Sequence, residues 1–273
     1  MYALVANNSK QHQQQHLLKT KIHQLLLLTC AFILTLSTSA HGATVTAHRK
    51  SSAYSKQRVV LISFDGFRHD FVERHNLAAF KRFARHGVRA SSLKPVFTTK
   101  TFPNHVTMAT GLYEETHGIV GNRFYDAQLN ATFIKSDDPK WWNNSPAKPL
   151  WALNENHVID ESTNKTGKSA TIFWPGSTSP YHDKWPFFAF KKYNANYTTR
   201  DRFDKIVELL LDNHDLNFVA CYMQEPDSVA HNTGPESEAT AAMLKKVDAD
   251  FGYFQRKMDK ASLLDKVILL YLL

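Results

Sequence analysis

Continuous apolar runs along the chain alternate with segments in which apolar residues recur every three or four positions. The run at residues 59–64 predicts a strand that is buried on both faces, as in a parallel sheet. Runs at residues 218–223 and 267–273 also predict strands. Shorter runs at residues 91–97 and 169–174 predict two further strands.

Three segments have the spacing of one helix face, and Pro103 and Gly111 delimit a fourth, short helix. The three apolar stripes are Leu77/Phe80/Phe83/Ala84, Phe203/Ile206/Val207/Leu210 and Met243/Val247/Phe251/Phe254/Met258. Strands that alternate with helices predict an α/β fold with a mostly parallel sheet flanked by helices. Residues 126–165, rich in Asn, Asp, Pro and Trp, predict an excursion on the surface.

The N-terminus has a different pattern, which predicts a secretory signal peptide over residues 1–42. A long polar lead precedes twelve mostly apolar residues at 25–36 and then small residues, so cleavage is expected near residues 40–42. Twelve residues are too few to cross a bilayer, which takes about 20. The long lead leaves one alternative, an uncleaved segment that anchors the chain in a membrane. We therefore expect a secreted or extracellular protein whose folded part is residues 43–273.

Two other features agree with secretion. Asn-X-Ser/Thr sequons, the acceptors of N-linked glycans, occur at Asn130, Asn143, Asn164 and Asn196. Cys221 is the one cysteine after the signal segment, so it is either a buried thiol or has a partner outside this sequence.

Composition narrows the class of protein. A chain of 273 residues that is 43% hydrophobic can form one large domain or two small ones. The formal charge is +8, but lysines and arginines are spread among acidic and aromatic residues instead of forming blocks. Because that distribution is typical of a solvated surface, the charge does not predict nucleic-acid binding.

Polar clusters follow three of the predicted strands. Asp65 follows the strand at 59–64, the sequence TTKTFPNH at residues 98–105 follows the strand at 91–97, and EPDSVAH at residues 225–231 follows the strand at 218–223. Ligands of open α/β sheets bind at the carboxyl ends of the strands, so we expect these clusters to converge.

Each cluster has a structural explanation as well as a chemical one. Asp65 before a glycine suits a turn. Asp227 and His231 are four residues apart and therefore share a helix face. They either form a hydrogen bond on the helix surface or bind one metal ion, and a carboxylate with an imidazole suits zinc. Thr101 is either an N-cap or a nucleophile, and a threonine nucleophile needs activation by a metal or by a helix N-terminus.

Four motifs in chain order make the chain similar to a known family. The sequences FDGFR, TKTFPNHVTMATGLYEETHGIVGNRFYD, FWPGS and EPDSVAHNTGP resemble the ecto-nucleotide pyrophosphatase/phosphodiesterase family of the alkaline phosphatase superfamily. The resemblance implies an alkaline-phosphatase-like fold, two zinc ions and a threonine nucleophile. It also implies zinc-dependent hydrolysis of phosphodiester or pyrophosphate bonds in nucleotides or related small molecules.

By motif position, the resemblance also assigns the site residues. Thr101 is the nucleophile and lies on one zinc with Asp65, whereas Asp227 and His231 lie on the other. Asn122 donates to a phosphate oxygen. The substrate pocket receives two aromatic side chains, Phe102 on the nucleobase and Trp151 in the pocket lining.

The chain departs from the family pattern after residue 266. The family continues this strand into an Asp-His pair and has a further zinc-binding histidine later, whereas here the sequence reads VILLYLL to residue 273. We therefore expect residues 43–273 to be a C-terminally incomplete catalytic domain with an incomplete zinc set and impaired activity. The alternative is a non-catalytic secreted fragment that binds a ligand or partner. The motif KTFPNH disfavours a phosphomonoesterase, and the choice between nucleotide and lipid phosphodiesters stays open.

Overall fold

A computed structural model describes residues 3–6, 58–143 and 146–273. The strands are β1 (Ala3–Ala6), β2 (Arg58–Phe64), β3 (Gly87–Arg89), β4 (Arg123–Asp126), β5 (Ala131–Ile134), β6 (Val158–Asp160), β7 (Lys165–Thr166), β8 (Lys168–Ile172), β9 (Phe188–Ala189), β10 (Leu216–Met223) and β11 (Val267–Leu272). The helices are α1 (Phe71–Arg74), α2 (Ala78–Arg85), α3 (Thr101–Thr110), α4 (Glu114–His117), α5 (Pro139–Trp142), α6 (Leu150–Asn156), α7 (Thr199–Asp212), α8 (Asp227–Thr233) and α9 (Glu238–Lys260).

The described residues contain a seven-stranded sheet in the order β3-β1-β11-β2-β10-β8-β9. The strands from β11 to β9 pair in parallel, and β1 pairs antiparallel with both β11 and β3. The predicted α/β class with a mostly parallel sheet is confirmed, and the continuous apolar runs at 59–64 and 218–223 are its two central strands.

Alternate residues of the central strands belong to separate apolar clusters. Val60, Ile62 and Phe64 of β2 join a large cluster with buried side chains of α2, α7 and α9. Leu61 of β2 belongs instead to a small cluster with Ala109 of α3. A second small cluster lies among α3 and the segment from α4 to α5. The sheet is therefore covered on both faces, which is the setting that favours parallel strands.

Two segments differ from the sequence prediction. Residues 91–97 are irregular, not a strand, because Pro95 lacks an N–H donor and the Val96 N–H donates to the Asn104 side chain at 3.0 Å. The predicted surface excursion at 126–165 contains the hairpins β4–β5 and β6–β7 and two helices. Because Trp141 and Trp151 in it are buried, part of this segment belongs to the core.

The N-terminal segment also differs in part. Residues 1–42 are expected to stand outside the fold, yet Ala3–Ala6 pair with β11 in the register Ala3↔Leu272. An apolar strand edge offers unpaired backbone groups, which a short extended segment can satisfy. The predicted apolar run and cleavage site lie outside the described residues, so the signal peptide stays a prediction. Among the described residues, no helix has the length and apolar character needed to cross a membrane.

Cys221 is a free thiol in the interior of the sheet. It is 0% exposed, and burial raises its pKa to about 12. Since only the thiolate reacts readily, the structure matches the first of the two predicted explanations, a buried thiol.

Candidate active site

Residues from four separate segments line one cleft at the carboxyl ends of the central strands. The cleft has a volume of about 400 Å³, and its lining includes Asp65, Thr101, Asn122, Asp227 and His231. All five are candidates named from the sequence, so the predicted convergence takes place.

Parallel pairing of β2 and β10 brings the two aspartates together. Phe64 and Met223, the last residues of these strands, lie side by side in the ladder. The Asp65 N–H donates to the Met223 carbonyl at 2.9 Å, and the Asp227 N–H donates to the Asp65 carbonyl at 3.2 Å. The start of α8 is thereby fixed by its backbone against the end of β2.

Gly66 allows this close approach. Its φ is +65°, a conformation that costs an L-residue about 1–2 kcal/mol. A Cβ at this position would lie 2.8 Å from the Asp227 Cα, well inside van der Waals contact. The glycine after Asp65 therefore serves both the turn and the packing of α8.

The aspartate pair concentrates negative charge in a partly dry environment. Asp65 is 8% exposed and accepts a hydrogen bond from the Tyr222 hydroxyl at 2.9 Å. Burial, and secondly the charge of Asp65, raise the pKa of Asp227. His231 is mostly exposed, and its Nε2 lies 3.3 Å from Asp227 Oδ2. Two carboxylates held this way favour a cation or a proton between them.

Thr101 is the first residue of α3, and this position bears on whether Thr101 is the N-cap of the helix. The N-cap is Lys100, which makes no side-chain capping bond, so Thr101 is not the N-cap. The Phe102 N–H at the same helix end donates to Asn122 Oδ1 at 2.9 Å. An amide that accepts through Oδ1 keeps Nδ2 as a donor, and the side chain of Asn122 lines the cleft beside Thr101. The helix N-terminus adds partial positive charge at the hydroxyl.

A buried histidine fixes the start of α3 to the sheet. His105 Nδ1 contacts the Thr101 carbonyl at 2.7 Å, and Nε2 contacts Ser63 Oγ at 2.8 Å. A carbonyl can only accept, so Nδ1 carries the proton and Nε2 accepts from the serine hydroxyl. Burial lowers the pKa of His105, which keeps this neutral tautomer. The ring thus connects Thr101 with β2.

Asn104 fixes the loop that precedes the helix. Its Oδ1 accepts from the Val96 N–H, and its Nδ2 donates to the carbonyls of Thr98 and Lys100 at 3.1 and 2.9 Å. The hydrogen bonds of this one amide group hold the backbone in the place where the sequence predicts a strand, before TTKTFPNH.

The cleft has an aromatic arm of about 230 Å³ that also reaches Thr101 and Asp227. Its lining includes the side chains of Phe102, Lys135, Phe173, Tyr193 and Tyr222. Phe102 packs edge-on against Phe133, with ring centroids 5.6 Å apart. Of this set, sequence reasoning named only Phe102.

Lys135, Phe173, Tyr193 and Tyr222 were not named from the sequence, and the sequence signal that could have indicated them differs from one to the next. Phe173 lies in the motif FWPGS, directly after β8, so its strand-end position was a usable signal. Tyr222 lies inside an apolar strand, and a side chain in such a strand is expected to be part of the hydrophobic core. Lys135 and Tyr193 lie in segments without a periodic pattern, so only the folded chain reveals them.

Trp151 is not in the cleft. It is 5% exposed and lines a separate cavity of about 40 Å³ together with Val106 and Trp141. Its indole packs in the small cluster with Ala109 and Trp174. Contrary to the expectation for the substrate pocket, the structure places Trp151 outside this cleft, because α6 directs the ring into the core.

The donors in the cleft suit zinc in kind but fall short in number. Asp65 with Thr101, and Asp227 with His231, are the residues that could hold two ions. Zinc sites use three or four protein ligands. Among residues 58–143 and 146–273, no group of three or more His, Cys, Asp or Glu side chains is placed to bind one ion. The described residues alone therefore do not complete either zinc site.

Comparison with known proteins gives consistent matches. The family model described as "Type I phosphodiesterase / nucleotide pyrophosphatase" matches residues 59–270. The bis(5'-adenosyl)-triphosphatase of Xenopus laevis is 38% identical over 217 residues, which are 78% of this chain and 45% of the relative. The human bis(5'-adenosyl)-triphosphatase is 38% identical over 209 residues, which are 75% of this chain and 44% of the relative.

Solved structures agree in fold. An inactive threonine-to-alanine variant of murine ectonucleotide pyrophosphatase/phosphodiesterase 5, in complex with AMP, superposes with a TM-score of 0.72 at 32% identity. The match covers 79% of this chain and 56% of that chain. The chain thus spans about half the length of the proteins that it matches. Since the family model covers most of the sequence and the fold is shared, the chain belongs to the ecto-nucleotide pyrophosphatase/phosphodiesterase family.

Proposed function

We propose that this chain carries the nucleophile and nucleotide-binding part of a hydrolase that cleaves phosphodiester or pyrophosphate bonds in nucleotides. The observation that carries the proposal is the convergence of Thr101, Asn122, Asp65 and Asp227 in one cleft with an aromatic arm. The names of the relatives support it, since several are bis(5'-adenosyl)-triphosphatases and a similar structure holds AMP.

In the proposed reaction, the Thr101 hydroxyl attacks phosphorus in line with the leaving group. The Thr101 oxygen forms a bond to phosphorus as the bond to the leaving oxygen breaks, and the proton of the Thr101 hydroxyl passes through solvent to the leaving oxygen. Water then hydrolyses the phosphothreonine and restores the hydroxyl. The N-terminus of α3 stabilises charge at the attacking oxygen, and Asn122 Nδ2 donates to a non-bridging phosphate oxygen.

Zinc fits this site as a partner of the aspartates. Bound beside Asp65 and Thr101, or beside Asp227 and His231, it would supply the lowered hydroxyl pKa and the positive charge that a threonine nucleophile needs. Two donors for each ion imply weak binding by these residues alone. The inactive murine threonine variant is consistent with a threonine nucleophile.

The aromatic arm favours a nucleotide over a lipid as the substrate. Phe102 and Tyr193 present rings to a cavity of about 230 Å³, and Lys135 adds a positive charge to it. Stacking on two such rings suits a planar base, and a cation suits a phosphate or ribose oxygen. A long acyl chain offers neither a planar face for these rings nor an oxygen for a cation.

A second candidate is nucleotide binding without turnover. The observation that favours it is the incomplete donor set among the described residues. Both candidates predict AMP binding, and only the first predicts catalysis by this chain.

The proposed location is extracellular, by secretion or by an N-terminal membrane anchor. The predicted signal segment and the "ecto" in the names of relatives support it. N-terminal sequencing of material from a secreting cell line separates the two, since cleavage starts the chain near residues 41–44 and an anchor keeps Met1.

The test of the nucleophile compares Thr101→Ala, Thr101→Ser and Thr110→Ala. Thr110 lies at the other end of the same helix and serves as the matched control. With a nitrophenyl nucleotide ester and added zinc, we expect Thr101→Ala to lose turnover by at least about 1,000-fold, as removal of a nucleophile does. Thr101→Ser should keep part of the rate, and Thr110→Ala nearly all of it.

Bound zinc and AMP are measured on the same samples. Near-normal turnover by Thr101→Ala would exclude Thr101 as the nucleophile. A wild-type chain that binds AMP, holds little zinc and shows no turnover would support the second candidate. Failure to bind AMP would contradict both.

A further inference from the structure

Arg202 is buried beneath the aromatic arm without touching the cleft itself. It lies in the first turn of α7 and is 1% exposed. Its Nε donates to the Tyr197 carbonyl at 3.0 Å and its Nη1 to the Tyr222 carbonyl at 2.6 Å. Nη2 has no hydrogen-bond partner among the described residues. A buried guanidinium that bonds to carbonyls instead of a carboxylate is costly, so its position needs another explanation.

The guanidinium lies over two rings that line the aromatic arm. Its Cζ is 4.8 Å from the centroid of the Phe173 ring and 5.7 Å from that of Tyr193. The two rings contact each other edge-on at 5.4 Å. Phe173 has a φ of +57°, which a bulky residue adopts only when its surroundings hold it. The cation is therefore part of what holds this wall of the arm.

The same guanidinium connects the wall with the phosphate side of the cleft. Tyr222 accepts from Arg202 through its carbonyl and donates to Asp65 Oδ2 through its hydroxyl. The guanidinium thus bonds to the backbone of the residue whose hydroxyl contacts the carboxylate beside Thr101.

We propose that Arg202 is a positioning residue that, together with the buried Phe173 ring, holds the exposed Tyr193 ring for stacking on the nucleobase. This inference rests on the proposed nucleotide function. It requires arginine and not merely a positive charge, because only a planar guanidinium donates to two carbonyls while it stacks on aromatic rings.

The test uses Arg202→Lys, with Arg200→Lys as the matched control. Arg200 lies on the same helix and also covers a ring, that of Tyr253 at 4.6 Å. Its side chain is 52% exposed and pairs with Asp250 at 2.8 Å, away from the cleft. Both variants exchange arginine for lysine on α7, and only Arg202 contacts rings that line the arm.

The measurement is the affinity of the full 273-residue chain for AMP and for ribose 5-phosphate, which lacks the base. Loss of one base–aromatic stack should weaken AMP binding by about tenfold in Arg202→Lys. Ribose 5-phosphate should bind within about twofold of the wild-type affinity, and Arg200→Lys should leave both ligands unchanged. A merely structural role would weaken both ligands together.

A double-mutant cycle with Tyr193→Ala tests the route of the effect. If Arg202 acts through this wall, adding Arg202→Lys to Tyr193→Ala should cost less than about twofold further in AMP affinity, because coupled residues are not additive. If Arg202→Lys does not fold, the Arg202 Nε–H signal of the ¹⁵N-arginine-labelled wild type replaces it. That signal should shift with AMP and stay in place with ribose 5-phosphate.

The outcomes separate this inference from the proposed function. AMP preference retained by a folded Arg202→Lys, equal loss for both ligands, full additivity, or an unmoved Nε–H signal would each overturn the role of Arg202 alone. A wild-type chain that does not prefer AMP over ribose 5-phosphate would overturn the nucleotide function, and the inference with it.

Discussion

Two buried imidazoles, His105 and His117, hold the helix that begins at Thr101. His117 Nε2 contacts Thr107 Oγ1 at 3.0 Å, and its Nδ1 accepts from the Ile119 N–H at 3.1 Å. Burial lowers the pKa of His117 to about 4 and also lowers that of His105. Both side chains are therefore neutral in the folded chain at physiological pH, and their protonation opposes folding.

The stability of the protein should accordingly fall in mild acid. In the unfolded chain a histidine has a pKa of about 6.5, so between pH 6.5 and 4 the unfolded state binds more protons than the folded state. The contribution of His117 is fully present above the unfolded pKa and is lost as the pH falls towards 4, up to about 3 kcal/mol. His117→Gln should show a smaller loss between pH 7 and pH 4.5 in urea unfolding.

The control is His214→Gln, which makes the same substitution at an exposed histidine. Equal slopes for the wild type and His117→Gln would mean that His117 is not buried as a neutral ring.

At the scale of elements, the junction between β2 and α8 decides whether the two aspartates meet. Gly66→Ala places a methyl group 2.8 Å from the Asp227 Cα at a φ of +65°. Backbone strain and overlap together should reduce the free energy of unfolding by about 2–5 kcal/mol.

The control is Gly118→Ala, at a φ of +79° with no atom within 4 Å of the added methyl group. It should cost only the backbone term of about 1–2 kcal/mol. Chemical denaturation of both variants measures the difference. A Gly66→Ala chain as stable as Gly118→Ala would show that α8 can move away without loss.

The elements also show which parts of the fold a sequence can predict. The strands at β2 and β10 and the long helix α9 were predicted because long apolar runs and a clear helical period leave few alternatives. The strand prediction for residues 91–97 was wrong because the segment contains apolar residues, as a strand would, but a hydrogen bond from the Val96 N–H to the Asn104 side chain holds its backbone instead.

The residues of the candidate site also fall into those that the sequence predicted and those that it did not. Strand-end positions and motif letters predicted that Asp65, Thr101, Asn122 and Asp227 converge, and the structure places all four in one cleft. The sequence did not indicate that Trp151 lies outside this cleft or that Tyr193 lines its aromatic arm, because packing between distant segments decides which way a ring points. Arg202 has no local signal at all, since it looks like any charged residue near a helix start.

At the scale of the whole molecule, exposure separates the four predicted glycan sites. Asn130 and Asn164 lie exposed in hairpin turns, and Asn196 is exposed before α7. Asn143 is half-buried, and its Oδ1 accepts from the His182 N–H at 2.8 Å. A glycan is attached at the amide nitrogen, and the half-buried side chain of Asn143 leaves less room for one than the other three, which are exposed.

We therefore expect glycans on Asn130, Asn164 and Asn196 and low occupancy at Asn143 when the chain is expressed through the secretory pathway. Enzymatic deglycosylation converts each occupied asparagine to aspartate, which peptide mass spectrometry detects site by site. Asn164→Gln is the control that should remove one mobility step. Full occupancy at Asn143, or no occupancy anywhere, would contradict this prediction.

The unequal apolar clusters on the two faces of the sheet have a consequence for motion. The face with α2, α7 and α9 packs through the large cluster, whereas α3 is held by the two small clusters and a few side-chain hydrogen bonds. Segments with few buried contacts open at lower free energy than the core. Amide protons of α3 should therefore exchange with solvent through local opening, whereas those of β2 and β10 should exchange only through global unfolding. Thr101 thus belongs to the more labile cooperative unit of the protein, and the Asp65 carboxylate beside it belongs to the more stable one.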